Sequence, residues 1–376
     1  LKVSATGSTL GEMLSLVPAE YTKTFDGYRF EGKGNVIAGI SGSIADGRTP
    51  AVNVRLDMQN GTIAERKSGI SLQNVSATAV YSVKQDGMNE TLSISNLKAK
   101  LGDGFISGSL SMQGLSSTNM QCNLNASLNL NELQQFIKYE EFTSLSGWIK
   151  LNASFSGEIA DISNPEASDF LASNLSGSGS IQQATLGLRN YGLPVKNIQS
   201  VFEFNGNDLI LQQLSFALGR SDFSLKGALG NLLPWLFVKN QTLGVSGSLV
   251  AQRFDWDELS GAQKGTSDEF QFSLPVDLSV NNLELQTKNF TFGKFSATGL
   301  KGTAHMNDTV LSVNNIAMQT CQGKVTGQAN INARADKFSL IQAKAHLEKV
   351  NVKLLFTQFG NFVQDDLKDE NLEGLI

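Results

Sequence analysis

The chain has 376 residues, with 36 Gly against 6 Pro and only 17% of its residues charged. Few prolines leave strand ladders uninterrupted and scattered glycines suit turns and bends, so the composition favours β structure. A formal net charge of −5 without any Lys/Arg block excludes a nucleic-acid partner, and two cysteines, Cys122 and Cys321, exclude a disulfide-stapled scaffold.

Strands announce themselves early. Ala51-Val52-Asn53-Val54-Arg55-Leu56-Asp57-Met58 alternates apolar and polar residues, the pattern of a strand with one buried and one wet face. Gln59-Asn60-Gly61 and Gln85-Asp86-Gly87 read as turns after such runs, and Gly102-Asp103-Gly104 as a hairpin. Between them lies a unit that recurs: Leu72-Gln73-Asn74-Val75, then Leu92-Ser93-Ile94-Ser95-Asn96-Leu97, then Phe105-Ile106-Ser107-Gly108. Cys122-Asn123-Leu124-Asn125-Ala126-Ser127-Leu128-Asn129-Leu130 alternates again. Its end, Leu128-Asn129-Leu130-Asn131-Glu132-Leu133, tips into a short helix whose Asn side chains can cap the first amides.

A polar stretch at 157–169 is a candidate loop. The second copy of the unit follows as Val195-Lys196-Asn197-Ile198, Leu209-Ile210-Leu211-Gln212-Gln213-Leu214 and Phe223-Ser224-Leu225-Lys226-Gly227, with Gly206-Asn207-Asp208 as an internal turn. The longest apolar run, Leu232-Leu233-Pro234-Trp235-Leu236-Phe237-Val238, is far shorter than the roughly 20 residues that span a bilayer. The helix-tipping element returns as Phe254-Asp255-Trp256-Asp257-Glu258-Leu259. Residues 260–268 then read as a linker, and Val276-Asp277-Leu278-Ser279-Val280 as a strand. The third copy is Ala297-Thr298-Gly299-Leu300, Val310-Leu311-Ser312-Val313-Asn314-Asn315-Ile316 and Lys324-Val325-Thr326-Gly327, which makes Leu97, Leu214 and Ile316 equivalent. Val350-Asn351-Val352-Lys353-Leu354-Leu355 closes it. Phe356, Phe359, Phe362 and Val363 continue as a stripe on an amphipathic helix, packed on the sheet or facing a partner.

These elements define an all-β protein: an elongated, curved, mainly antiparallel repeat sheet with a few short helices. Three units, 1–137, 138–260 and 261–376, share one continuous sheet, because a unit alone cannot cover its apolar face. Helices are too few and short to cover it either. The sheet must then fold on itself as a sandwich or barrel, or stay open as a groove that something else fills. The bulkiest rows, Phe202, Phe204, Leu209, Leu211, Leu214, Phe216, Leu218, Phe223 and Leu225, with Val313, Ile316 and Val325 in the third unit, are the candidate lining. Acyl chains would suit such a lining, at about 0.8 kcal/mol per buried methylene.

Resemblance favours the groove. Val350-Asn351-Val352-Lys353-Leu354-Leu355-Phe356-Thr357-Gln358-Phe359-Gly360-Asn361-Phe362 with Asn371-Leu372-Glu373-Gly374, and the run 209–218 followed by Gly219-Arg220-Ser221-Asp222-Phe223-Ser224-Leu225-Lys226-Gly227, resemble the AsmA-like (AsmA/TamB-type) envelope proteins. The likeness is spread over most of the chain as strands and turns, with no invariant catalytic signature. It implies a taco-like β-groove related to bridge-like lipid transfer proteins. It also implies a periplasmic location with an inner-membrane anchor in segments outside this sequence, envelope protein partners, and movement of phospholipid towards the outer membrane. The sequence has no such anchor and reads as a fragment.

Catalytic chemistry is not written in the chain. His305 and His346 lack ligand-spaced companions and read as surface or rim residues. The pair Asp255 and Asp257 is replaced by Asn129/Asn131 and Asn351/Lys353 in the other copies, so capping accounts for it better than glycoside hydrolysis. No cofactor or metal is expected and the chain is read as a non-enzyme. A structural or adhesive cell-surface sandwich or solenoid is the competing reading. An outer-membrane barrel would need aromatic girdles that 3 Trp and 5 Tyr do not supply. Whether Cys122 and Cys321 pair is left open.

Overall fold

The computed structural model describes residues 1–14, 26–43, 48–114, 118–137, 142–162, 164–189, 192–259, 278–307, 309–333 and 339–376. Within them the first strands are β1 (Lys2–Thr9), β2 (Tyr28–Ser41), β3 (Ala51–Glu65), β4 (Ser71–Val83), β5 (Thr91–Leu101), β6 (Gly104–Gln113) and β7 (Thr118–Asn129). Next come β8 (Phe142–Ile159), β9 (Asn174–Leu188), β10 (Val195–Asn205), β11 (Asp208–Leu218), β12 (Ser221–Gly230) and β13 (Leu243–Asp255). The last are β14 (Leu278–Phe292), β15 (Phe295–Asn307), β16 (Val310–Thr320), β17 (Gly323–Ala333) and β18 (Ser339–Glu348).

All eighteen belong to one open sheet. Each strand pairs with its neighbours in sequence, antiparallel everywhere except between β13 and β14, which run parallel. At a strand spacing of about 4.8 Å, eighteen strands trace a ladder path of about 80 Å. The linker expected at 260–268, and Val276 and Asp277 of the expected strand, lie outside the described residues.

The recurring unit is built on bulges. Pairing slips between Ile94 and Leu97 on β5, between Leu211 and Leu214 on β11, and between Val313 and Ile316 on β16. Leu97, Leu214 and Ile316 each follow the extra residue, so their equivalence in sequence is an equivalence in space. The inserted residue moves the apolar positions from one parity to the other, which keeps Leu209, Leu211, Leu214, Phe216 and Leu218 on one face. The preceding strand of each unit carries its own slip, at Asn74, Asn197 and Gly299, with φ of 52°, 54° and 60°. Asn and Gly enter this left-handed region most easily, so the residue type follows from the backbone. Bulges bend strands, and a line of them across neighbours curves the sheet.

The closing glycines are steric. A Cβ on Gly108, Gly227 or Gly327 would run into the carbonyl oxygen of Asn123, Ser246 or Lys344 on the next strand. Two-residue turns stand at Gly102-Asp103 and Gly206-Asn207, and a 3-10 turn at Gln85–Gly87, as expected. Gln59-Asn60-Gly61 is not a turn. β3 runs straight through it, and Asn60, at φ 55°, is a bulge between Met58 and Gly61. Asn-Gly satisfies both devices, because each needs positive φ.

The α-helices among the described residues are four to seven residues long. They are α1 (Leu10–Leu14), α2 (Leu130–Phe136), α3 (Ala167–Leu171), α4 (Leu232–Phe237), α5 (Trp256–Leu259) and α6 (Val352–Gln358). None is long and apolar enough to cross a membrane. α2, α5 and α6 follow β7, β13 and β18, and the expected caps are present. The side chains of Asn129, Asp255 and Asn351 accept from the amides of Asn131, Asp257 and Leu354 at 2.9, 3.2 and 3.2 Å. The aromatic stripe on one continuous helix is overturned. α6 ends at Gln358, and Gly360 at φ 59°, Asn361 at 54° and Phe362 at 55° turn the chain back. Phe356 and Phe359 then meet Phe362 across a bend, at 5.0 and 5.2 Å between ring centroids.

Candidate functional site

Cross-strand partners share a face, so the register identifies the rows of side chains. In the second and third units, Phe204, Leu209, Leu229, Val245, Val280 and Met306 are successive partners from β10 to β15. One step along the strands, Phe202 faces Gly179 and Leu211, and Leu211 faces Gly227. The Phe202 ring occupies the space where a Gly179 side chain would stand.

The residues expected to line the groove sit on this face, and most of them are packed. Phe202 (4% exposed), Leu209, Leu211 and Leu225 form one cluster with Leu283, Ala304, Met306 and Leu311, against which half-buried Phe204, Leu214 and Val313 pack. Leu218 and Phe223 are buried beside Ala251 and Phe254, and half-buried Phe216 stacks on Phe223 at 5.0 Å. Val325 is buried with Cys321 and Val350, and Ile316 is half-buried outside these clusters. Their bulk closes the face upon itself.

The first unit presents the same face differently. One row runs Val54, Tyr81, Leu92, Met112, Met120 and the next Leu56, Ala79, Ile94, Leu110, Cys122, Phe155, each residue the partner of the one before. Every one of these side chains is half-buried. The opposite face is polar, with Ser154 donating to Asn123 at 2.6 Å and Asn123 to Ser109 at 3.4 Å. The two rows form the floor of a trough. At one end α1 seats buried Leu10 and Met13 on Val36, Val54, Leu56 and Met58. At the other, Phe170 of α3 and Leu233 of α4 pack on Ala153, Leu175, Met120, Phe155 and Phe204. Phe237 stacks on Phe170 at 5.6 Å and is 62% exposed, with Leu171, Trp235 and Leu236 also exposed beside it. Sequence reading missed this floor because it ranked rows by bulk. The signal was the run of small and flexible residues, Ala79, Met112, Met120 and Cys122, at apolar positions.

Charge gathers instead at one strand turn. The Glu258 carboxylate of α5 accepts from the Arg220 amide at 2.9 Å and from the Ser221 hydroxyl at 2.9 Å, and Arg220 also pairs with Asp255. Burial alone would raise the Glu258 carboxyl. The Arg220 amide, the Ser221 hydroxyl and the guanidinium outweigh it and hold the group below its usual range. Asp255 thus caps α5 and joins the turn latch, and the Asp257 carboxylate accepts from the Gly293 amide at 3.0 Å. A groove of about 650 Å³ between β14–β18 and α6 has a mixed lining, with Phe290, Ala297 and Cys321 beside Thr298, Gln319, Lys324 and Gln358. His305 and His346 are exposed, and Cys122 and Cys321 are unpaired. Among the described residues, no group of three His, Cys, Asp or Glu is placed to hold a metal ion. No protein-family model, curated protein or solved structure matches this chain.

Proposed function

We propose that this chain is a lipid-binding groove segment that carries phospholipid acyl chains between the inner and outer membranes of a diderm envelope, in the manner of the AsmA-like proteins it resembles, without catalysing a reaction. In the full-length protein it stands in the periplasm, held by an inner-membrane anchor supplied from outside this sequence. One observation carries the reading. Among the described residues all eighteen strands belong to one sheet, and its apolar rows in the first unit are half-buried. Water against such a surface is unfavourable by roughly 25 cal/mol per Å², and hydrocarbon relieves it without asking for hydrogen bonds.

Gentle purification followed by lipid extraction and mass spectrometry tests the proposal. Phospholipid should accompany the protein in near-stoichiometric amount. A soluble, folded chain carrying none would overturn it. The packed cluster around Phe202 favours the competing reading of a structural envelope protein, and photocrosslinkers decide between them. At half-buried Leu92 and Leu110 they should capture lipid under the first reading and only protein under the second.

A further inference from the structure

We infer that the acyl chains bind in the trough of the first unit, over Tyr81, Leu92, Ile94, Leu110, Met112 and Cys122, and not over the bulkier rows of β10–β12. The inference rests on the groove reading and locates the site within it.

Three observations carry it. The floor is apolar and half-buried throughout, while Phe202, Leu209 and Leu211, at the positions equivalent to Ala79, Leu92 and Ile94, are fully buried and Phe204, Leu229 and Val245 stay half-buried. It is bounded, with α1 seated at the β2–β3 end and the α3–α4 pair at the β7–β10 end. The length between these walls is the third. The free floor spans β4 to β7, three strand steps or about 15 Å, which matches half of a roughly 30 Å bilayer core and therefore one acyl chain.

The chemistry of the floor selects hydrocarbon over a protein segment. β4 to β7 are hydrogen-bonded on both sides, so they offer no free backbone edge to an incoming strand. Extended polypeptide laid across the rows would bury its own amides without partners, at a cost of about 1–3 kcal/mol each. A methylene chain has no such groups. The thioethers of Met112 and Met120, direct partners across β6 and β7, adapt to chains of different shape. The floor is also continuous with the packed face, because Met120 and Phe155 lie against the same cluster that Phe204 touches.

Cys122 is a native reporter in the middle of this floor, and Cys321, buried in the third unit, is its internal control. The full chain, stripped of lipid, is treated with N-ethylmaleimide in the presence and absence of palmitoyl-oleoyl phosphatidylglycerol vesicles, and labelling at each cysteine is followed by peptide mass spectrometry. Phospholipid should slow modification of Cys122 by about tenfold or more and leave Cys321 unchanged. The Leu110→Asp variant, checked for fold by circular dichroism, should retain less phospholipid on purification. If phospholipid binds while Cys122 reacts as fast as before, the site assignment is wrong and the groove reading stands. If no phospholipid binds at all, both fall. If Leu110→Asp unfolds the chain, the unsubstituted protein's Cys122 decides alone.

Discussion

The first unit and the second share strand order, bulge positions and closing glycines, yet the rows of β4–β7 are half-buried throughout while those of β10–β12 include fully buried Phe202, Leu209, Leu211 and Leu225. The rows of β10–β12 carry Phe202, Phe204, Leu209, Leu211 and Leu225, whose volume fills the curvature that the bulges create. The rows of β4–β7 put Ala79, Ile94, Leu110, Cys122 and Met112 on the same geometry, and less of that space is filled. Backbone devices set the curve, and side-chain volume decides whether the concavity becomes a core or a channel.

That difference can be broken most severely at Phe202. Phe202→Ala should cost about 3–5 kcal/mol, because it empties a packed site over Gly179 that backbone pairing prevents from collapsing. Ile94→Ala, at a half-buried site on the other floor, should cost about 1 kcal/mol. Denaturant unfolding of both variants measures the gap, and equal losses would refute the distinction between core and channel. The glycines should behave alike in the two units. Gly227→Ala and Gly108→Ala each force a Cβ onto a neighbouring carbonyl, so each should destabilise by about 1–3 kcal/mol by the same measurement.

Much of this was legible in the chain before its structure. Alternation located the strands, and the change of parity between Leu211 and Leu214 already contained the bulge, since an uninterrupted strand would have sent Leu214, Phe216 and Leu218 to the polar face. Asn60 shows the limit of local chemistry. Asn-Gly demands positive φ, and only the continuing ladder on both sides decides that the result is a bulge and not a turn. Phe356, Phe359 and Phe362 had helical spacing, but glycine and asparagine after Phe359 admit a left-handed reversal that spacing cannot register. The candidate floor was harder to see. Ranking rows by bulk picked out Phe202, Leu209, Leu211 and Leu225, which the structure buries, and passed over the lighter, half-buried rows of β4–β7. Which row stays open depends on α1, α3 and α4 reaching over the sheet, and that contact is tertiary.

The smallest expected effect concerns the turn latch, where the two units again diverge. In both, a glutamate of the helix lies over the β-turn glycine: Glu132 over Gly102 and Glu258 over Gly219. The next turn residue is Arg220 in the second unit and Asp103 in the first, so only the second latch has a cation. The Glu258 carboxyl is held below its ordinary value of 4.5, and a lowered folded-state pKa contributes stability that is present above the unfolded value and lost as pH falls through the folded one. Thermal midpoints measured from pH 7 down past 4 should therefore fall less steeply for Glu258→Gln than for the unsubstituted chain, which starts higher. Asp103→Arg should install the missing partner over Glu132. Because the turn is exposed, the gain should be only about 0.2–1 kcal/mol, and it should disappear when Glu132 is also changed to Gln. A gain that survives the Glu132→Gln change would come from relief of general acidic repulsion, and the two turns would not be versions of one latch.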